Sequence, residues 1–432
     1  MAGTDRKTET ALDAEKLLRE RAESFLQQNG AARQLAGQMR EETGTDFFDW
    51  IDHLALAPED EKTLRELGFV SDPVQTPNGQ PVLKHPGLAR PRVVLEKGAK
   101  RNPAVVALRA ESVADFAAAN WLTGRIEGDA LARMRRVAVS EEDGARLEAV
   151  ERNGYRGFAP APLHPADLKS IIRVKDLWRT RPRHCATEAA GFEAANKALE
   201  EILTSAGPDL AGQFFFQEER RYWEGRNRAA QLQKRRQDRL GLGWGNDAHH
   251  TFFSSREYFV DLIQFLLRLG FEKRERYYAG AEAGWGAQVC EQPNLGIAIF
   301  ARLDLTPEDG RIDFSTTRLP PAPRLGKVGL WTGLHGESFL EAGLHDLRAR
   351  FDFEAEREPP TPKSAEAAAP LPEFEAAALK GGERWPVRRE RAEKLLQAGL
   401  ITAEECEQFL REGAPGSRLE NGRGGGGPEG VS

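Results

Sequence analysis

The sequence predicts an α+β protein in which a unit of order β-α-β-β-β occurs twice, with a helical insertion between the copies and a helical appendage after them. Three observations carry this. A short strand rich in Thr and Phe gives way to helical periodicity after Arg256, the triplet Leu-Gly-Phe closes the helix in both copies, and a histidine stands on the opening strand of each. Repeats are sought before a fold is named, because a duplicated unit fixes the architecture.

In the second copy, His249–Ser254 is bounded by Gly, Asn and Asp and reads as a strand. Phe259, Leu262, Ile263, Leu266, Leu267 and Leu269 then fall at helical spacing, with Ser254 or Ser255 as a cap and Gly270 as a stop. Lys273–Tyr278, Gly286–Glu291 and Leu295–Leu305 follow as strand-like runs separated by Gly280, Gly284, Pro293 and Asn294. The first copy repeats this order. FFDWIDHLAL, ending at Leu56, is a strand carrying His53, Pro58-Glu59-Asp60 opens a helix, and Leu67-Gly68-Phe69 matches Leu269-Gly270-Phe271. RVVLE, ending at Glu96, aligns with AQVCE, ending at Glu291, and AVVALRAES from Ala104 aligns with IAIFARLDL from Ile297.

The division that follows is 1–46, N-terminal helices; 47–139, first unit; 140–240, helical insertion; 241–353, second unit; 354–382, a linker rich in Pro, Ala and Glu; 383–412, a short helical segment; and 413–432, a glycine-rich tail expected to be disordered. In the helical segment Thr402 and Glu405 are spaced as a capping box. KVGLWTGLHGESF, from Lys327 to Phe339, reads as a strand pair carrying His335 and Glu337.

Composition narrows the function. The 432 residues are 40% apolar and 30% charged, with 61 basic against 67 acidic residues and a net charge of -6, which exerts no overall pull on nucleic acid or anionic membranes. Gln217–Arg239 holds eight basic and four acidic residues with Tyr222 and Trp223; the interspersed acids favour a solvated helix with i,i+4 pairs over a nucleic-acid-binding one. No apolar run approaches a membrane span and the opening residues are charged, so a cytoplasmic protein is expected. Cys185, Cys290 and Cys406 are scattered, which excludes a disulfide framework and a CxxC zinc site. Neither GxxxxGK[ST] nor GxSxG occurs, which removes support for a P-loop and for a hydrolase elbow.

Asp52-His53-Leu54, Leu67-Gly68-Phe69 and Arg92–Glu96, with His249-His250-Thr251, Leu269-Gly270-Phe271 and Ala287–Glu291, resemble the paired βαβββ modules of the vicinal-oxygen-chelate superfamily, which includes glyoxalase I and the extradiol dioxygenases. The resemblance covers roughly Phe47–Phe116 and Gly245–Phe353, and the long insertion between departs from it. It implies a curved mixed sheet and a metal-dependent enzyme, most plausibly a non-haem Fe(II) dioxygenase acting on a small organic acid. Zinc and manganese are the other ions considered, and a metal-free ligand- or partner-binding protein of the same architecture is the alternative.

A 2-His-1-carboxylate set leaves open positions for substrate and O2. On that pattern His53, His250 and Glu337 are the candidate ligands, with Glu337 placed where the resembled extradiol enzymes carry their glutamate. Successive residues of a strand face opposite ways, so His249 and His250 cannot both serve. The sequence leaves His249 open against His250, and Glu291, Glu96 and His335 open against Glu337. A lone strand histidine is more often satisfied by its neighbours than bound to an ion. Arg256, Arg276, Trp285 and Gln288 are the candidate substrate contacts, the arginines through a bidentate grip on a carboxylate, although each also suits an ordinary surface or core role. The expected partner is a small molecule, with no nucleic acid and no membrane.

Overall fold

A computed structural model describes residues 2–88, 90–98, 100–160, 163–349 and 383–421, with residues 2–10, 248, 349, 420 and 421 as backbone alone. Two βαβββ units are present. In the first, β1 (Ile51–Leu56), α3 (Glu61–Glu66), β2 (Val70–Ser71), β3 (Val82–Lys84) and β4 (Arg92–Leu95) follow α1 (Ala2–Gln28) and α2 (Gly30–Gln38). β5 (Val105–Arg109), α4 (Val113–Ala119), β6 (Met134–Glu142) and β7 (Ala145–Arg152) complete a seven-stranded sheet of order β2-β3-β4-β1-β5-β7-β6. In the second, β8 (Asp247–Phe253), α8 (Phe259–Arg268), β9 (Glu272–Tyr278), β10 (Trp285–Gln292) and β11 (Ile297–Asp304) are joined by β12 (Asp346–Ala349) and β15 (Arg418–Asn421) in the order β15-β12-β8-β11-β10-β9.

Apart from β6, which has no counterpart in the second sheet, the two orders match strand for strand. In each unit the fourth strand runs parallel to the first (β4 on β1, β11 on β8), and an antiparallel strand occupies the other side of the first (β5 on β1, β12 on β8). A strand parallel to that one follows, β7 or β15. The sequence alignment was therefore one strand out of step. β4 corresponds to β11, not to the β10 strand that bears Glu291, and β5 corresponds to β12. Because β5 and β12 take up the free edges of β1 and β8, the units do not join first strand to first strand; each closes its own sheet.

The shared Leu-Gly-Phe triplet is a helix stop. Gly68 and Gly270 sit at φ 90 and 81, a left-handed conformation that glycine adopts without a Cβ penalty. The N–H of Phe69 reaches back to Leu64 O and that of Phe271 to Leu266 O, while Gly68 and Gly270 bond Arg65 O and Leu267 O, which is the Schellman pattern. The phenylalanine after each glycine is buried.

Helices α1 and α2 cover one face of the first sheet through Leu18, Phe25 and Leu35, which pack on Ile51, Leu54 and Leu56. Those strand residues share a face only because the register of β1 on β5 shifts between Ile51 and His53. Such a bulge also places Asp52 and His53 on one side. Between the units lie α5 (Pro165–Thr180), α6 (Glu188–Glu224, broken at Gly207–Pro208) and α7 (Arg228–Arg239), which with α8 form the helical layer of the second sheet around Trp178, Phe215 and Phe265. The two sheets meet where the 241–247 segment lies against β5. A Cβ on Gly245 would come 2.2 Å from Arg109 O, so only glycine permits that approach.

Several expectations need correcting. The insertion starts after Arg152, because 134–152 is a β-hairpin of the first sheet. Lys327–His335 is a helix, α9, rather than a strand pair, and Glu337 lies beyond it. Gln217–Arg239 is interrupted at Gly225–Asn227, and its Glu219, Arg220, Trp223, Gln233 and Gln237 are buried rather than solvated. After α10 (Arg389–Gln397) and α11 (Ala403–Glu412), the chain does not end in a structureless tail at Gly413: β14 (Ala414–Pro415) pairs with β13 (Arg384–Trp385), and β15 joins the second sheet. The capping box at Thr402 and Glu405 is present. The expected linker and residues 422–432 lie outside the described residues. No described helix is long and apolar enough to cross a membrane.

Candidate ligand-binding cavity in the second unit

Strand alternation decides what each side of the second sheet presents. Phe252, Ile299, Ala301 and Leu347 enter the helical layer, so Phe253, Arg302 and Asp346, one residue along, face the other way. His250 goes with Phe252. It is 1% exposed, its ring centroid is 5.1 Å from that of Phe216 on α6, and neither ring nitrogen has a hydrogen-bond partner. Burial holds its pKa down at about 3. His249 takes the open face, 4.7 Å from the Phe300 ring, and burial with Arg348 beside it lowers its pKa to about 3. His250 is thus a core histidine and His249 lies on the open face.

Helix α9 and the C-terminal segment roof the open face and enclose a cavity of about 360 Å³. Its apolar walls are Phe253, Trp285 and Trp331, and its polar groups include Arg302, Arg418, His335 and His345. Asp304, at the end of β11, holds the roof by accepting the N–H groups of Gly326, Val328 and Gly329 at 2.7, 3.0 and 2.9 Å. The first N–H groups of a helix have no partner within it, and here a distant carboxylate supplies one. Cβ atoms on Gly326 and Gly329 would lie 2.6 and 2.5 Å from Asp304, which accounts for these two glycines. Burial raises the Asp304 pKa.

Inside, His345 stacks on Phe253 at 3.5 Å between centroids and meets Trp331 edge-on at 4.8 Å. Its Nδ1 is buried without a hydrogen-bond partner, and burial, then Arg418, pushes its pKa well below the usual range. The ring of His335 directs Nε2 at Pro415 O, 2.9 Å away. A carbonyl only accepts, so Nε2 carries the proton and Nδ1 is left with a lone pair. Burial lowers the His335 pKa to about 4. Both imidazoles are neutral at pH 7.

Arg302 is the unusual group. Its guanidinium stands 4.8 Å from the Trp285 ring centroid, its Nε is buried without a partner, and among the described residues it makes no hydrogen bond or ion pair with another side chain. A shielded guanidinium with aromatic walls and neutral imidazoles around it can take up the carboxylate of an acid whose body is apolar.

The expected site residues are dispersed. His53 Nδ1 lies 2.8 Å from Asp52 Oδ2 on the first sheet, and Arg152 grips the same carboxylate through Nε at 2.7 Å and Nη2 at 2.8 Å. The dyad fixes the imidazole tautomer, and Asp52 is held well below the usual carboxylate range by Arg152 and His53, against the opposing effect of burial. Glu337 accepts Ser255 N–H at 3.0 Å, with its other oxygen unpartnered, and burial raises its pKa to about 7. Among the described residues no group of three or more His, Cys, Asp or Glu side chains could hold a metal ion. His53, His250 and Glu337 occupy three separate surroundings, so these residues do not fit a shared ion.

Of the four expected substrate contacts, only Trp285 lines the cavity. Arg256 is bound to Asp309 and Pro320 O, Arg276 to Asp313 and Ile312 O, and buried Gln288 to the carbonyls of Glu275 and Val289. Glu291 is paired with Arg274. Arg302, Trp331 and His345 were missed. IAIFARLDL offered one signal, an arginine inside an otherwise apolar strand; nothing local marked the other two.

Fold and cavity define a protein of two βαβββ units, each closing its own sheet, with an aromatic cavity on the open face of the second. No family model matches the chain, and no curated protein matches it. Among solved structures, glyoxalase I from Zea mays is similar over 24% of this chain and 43% of its own, with 16% identity and a TM-score of 0.18. A mutant of 4-hydroxymandelate synthase from Streptomyces coelicolor is similar over 84% of this chain and 82% of its own, with 11% identity and a TM-score of 0.20. A xylose isomerase-like TIM barrel/4-hydroxyphenylpyruvate dioxygenase fusion protein covers 88% of this chain and 48% of its own, at 11% identity and a TM-score of 0.18. Scores this low do not carry the arrangement of the whole chain; the paired units rest on its own strand register.

Proposed function

We propose that the protein binds a small organic acid with an aromatic or otherwise apolar body in the cavity of the second unit, using Arg302 for the carboxylate and Phe253, Trp285 and Trp331 for the body. The observation that carries this is the Arg302 guanidinium, whose Nε is buried without a partner and which forms no ion pair among the described residues. His345, neutral and with Nδ1 unpartnered, supplies a further hydrogen bond. This is the metal-free reading of the architecture, and it gives no joint role to His53, His250 and Glu337.

The test is calorimetric titration with 3-phenylpropionate and its amide. The acid should bind and the amide bind at least tenfold more weakly, since a hydrogen bond to a charged group is worth ~1.5–3 kcal/mol. Arg302→Met should remove that preference. Equal binding of acid and amide, or an unchanged preference in the variant, would rule the proposal out.

A further inference from the structure

A second cavity, of about 280 Å³, lies where the two sheets meet. The first unit lines it with Arg90, Arg92, Arg109, Arg152 and Arg156, and the opposite wall is the β10–β11 turn, Pro293–Gly296. Three of these guanidiniums are engaged. Arg152 holds Asp52 as described, Arg156 is paired with Asp72, and Arg90 donates to the carbonyls of Gly245 at 2.6 Å and Asp247 at 2.5 Å.

The other two are less closely paired. Among the described residues Arg109 makes one side-chain hydrogen bond, to Leu295 O at 3.2 Å, and no ion pair. Arg92 donates to Arg156 O at 2.7 Å and lies 4.5 Å from the Phe158 ring centroid, but reaches Asp72, already occupied by Arg156, only at 4.0 Å. Glu291 on the far wall is taken by Arg274. Burial, then the neighbouring guanidinium of Arg152 for Arg92 and of Arg90 for Arg109, lowers their pKa values to about 9 and about 10. A guanidinium does not relieve such crowding by losing its proton at neutral pH, so the available relief is an anion.

We infer that this cavity binds a small polyanion carrying two or more carboxylate or phosphate groups, with Arg92 and Arg109 as the receiving guanidiniums. The site is separate from the aromatic cavity and does not depend on it. One anionic group between Arg92 and Arg109 leaves Arg152, whose second face is tied to the carbonyls of Tyr155 and Gly157, in place on Asp52.

The test is calorimetric titration of the full chain with citrate and, separately, pyrophosphate, at constant ionic strength in chloride, with acetate as control. Citrate or pyrophosphate should bind one to one with a Kd below about 1 mM, and acetate should not. Binding of only one assigns the ligand to carboxylates or to phosphates. Arg109→Met should weaken binding at least tenfold while leaving the melting temperature of the unliganded chain unchanged or raised; an arginine with a merely structural role would lower it. Arg302→Met should leave this binding untouched, which separates failure here from failure of the aromatic-cavity proposal. If neither polyanion binds the parent chain, or Arg109→Met binds like the parent, the inference is overturned. Should that variant not fold, Arg92→Gln is titrated instead, under the same criterion.

Discussion

Glu337→Gln should stabilise the protein at alkaline pH and leave it nearly unchanged in mild acid. The carboxyl is 3% exposed, accepts the Ser255 N–H, forms no ion pair among the described residues, and its pKa is raised by burial from 4.5 to about 7. A folded-state pKa above the unfolded one means that the native state binds the proton more tightly. The stability linked to this group is therefore fully present below the unfolded value near 4.5 and is lost as pH rises through about 7. A shift of 7 minus 4.5, at about 1.4 kcal/mol per unit, sets the loss at about 3 kcal/mol by pH 8. Glutamine copies the neutral acid and removes the titration. Denaturant unfolding of parent and variant at pH 5 and pH 8 would read this as a gain for the variant at pH 8 only. A variant destabilised to the same extent at both pH values would show that the native carboxylate is charged and compensated, and the reasoning would fail.

Asp52→Asn should cost ~3–5 kcal/mol in denaturant unfolding at pH 7, because it leaves the buried Arg152 guanidinium without its bidentate partner. Since the Asp52 pKa is lowered, the parent loses the linked stability as pH falls through the carboxylate range, and the variant should show a flatter acid limb. Asp304→Ala should cost about 1–2 kcal/mol through three unpartnered N–H groups at the start of α9, and should weaken 3-phenylpropionate binding by loosening the roof. Gln217–Arg239 should give no salt-sensitive gel shift with duplex DNA near physiological salt; tight binding lost on neutralising Arg235 and Arg236 would contradict this.

What the sequence by itself determined was local. The β-α-β-β-β order was legible because alternation along strands and the 3.6-residue period of helices are properties of neighbouring residues. The Leu-Gly-Phe stops were legible because their hydrogen bonds run from Phe69 to Leu64 and from Phe271 to Leu266 within a single turn. The capping box at Thr402 is of the same kind.

The site was decided by contacts between distant residues. Helix α9 was misread because its first N–H groups are satisfied by Asp304, which is 22 positions before Gly326 and on another strand, so no cap stands next to it in sequence. The choice between His249 and His250 turned on which face of β8 the helical layer covers, and strand period alone fixes only that the two differ. The dyad of Asp52 and His53 depends on the register shift of β1 against β5. Whether His53 and the second-unit histidines share a cup depended on what fills the edges of β1 and β8. Once β5 and β12 had taken those edges, backbone pairing kept the histidines on separate sheets, whatever their side chains could have done together.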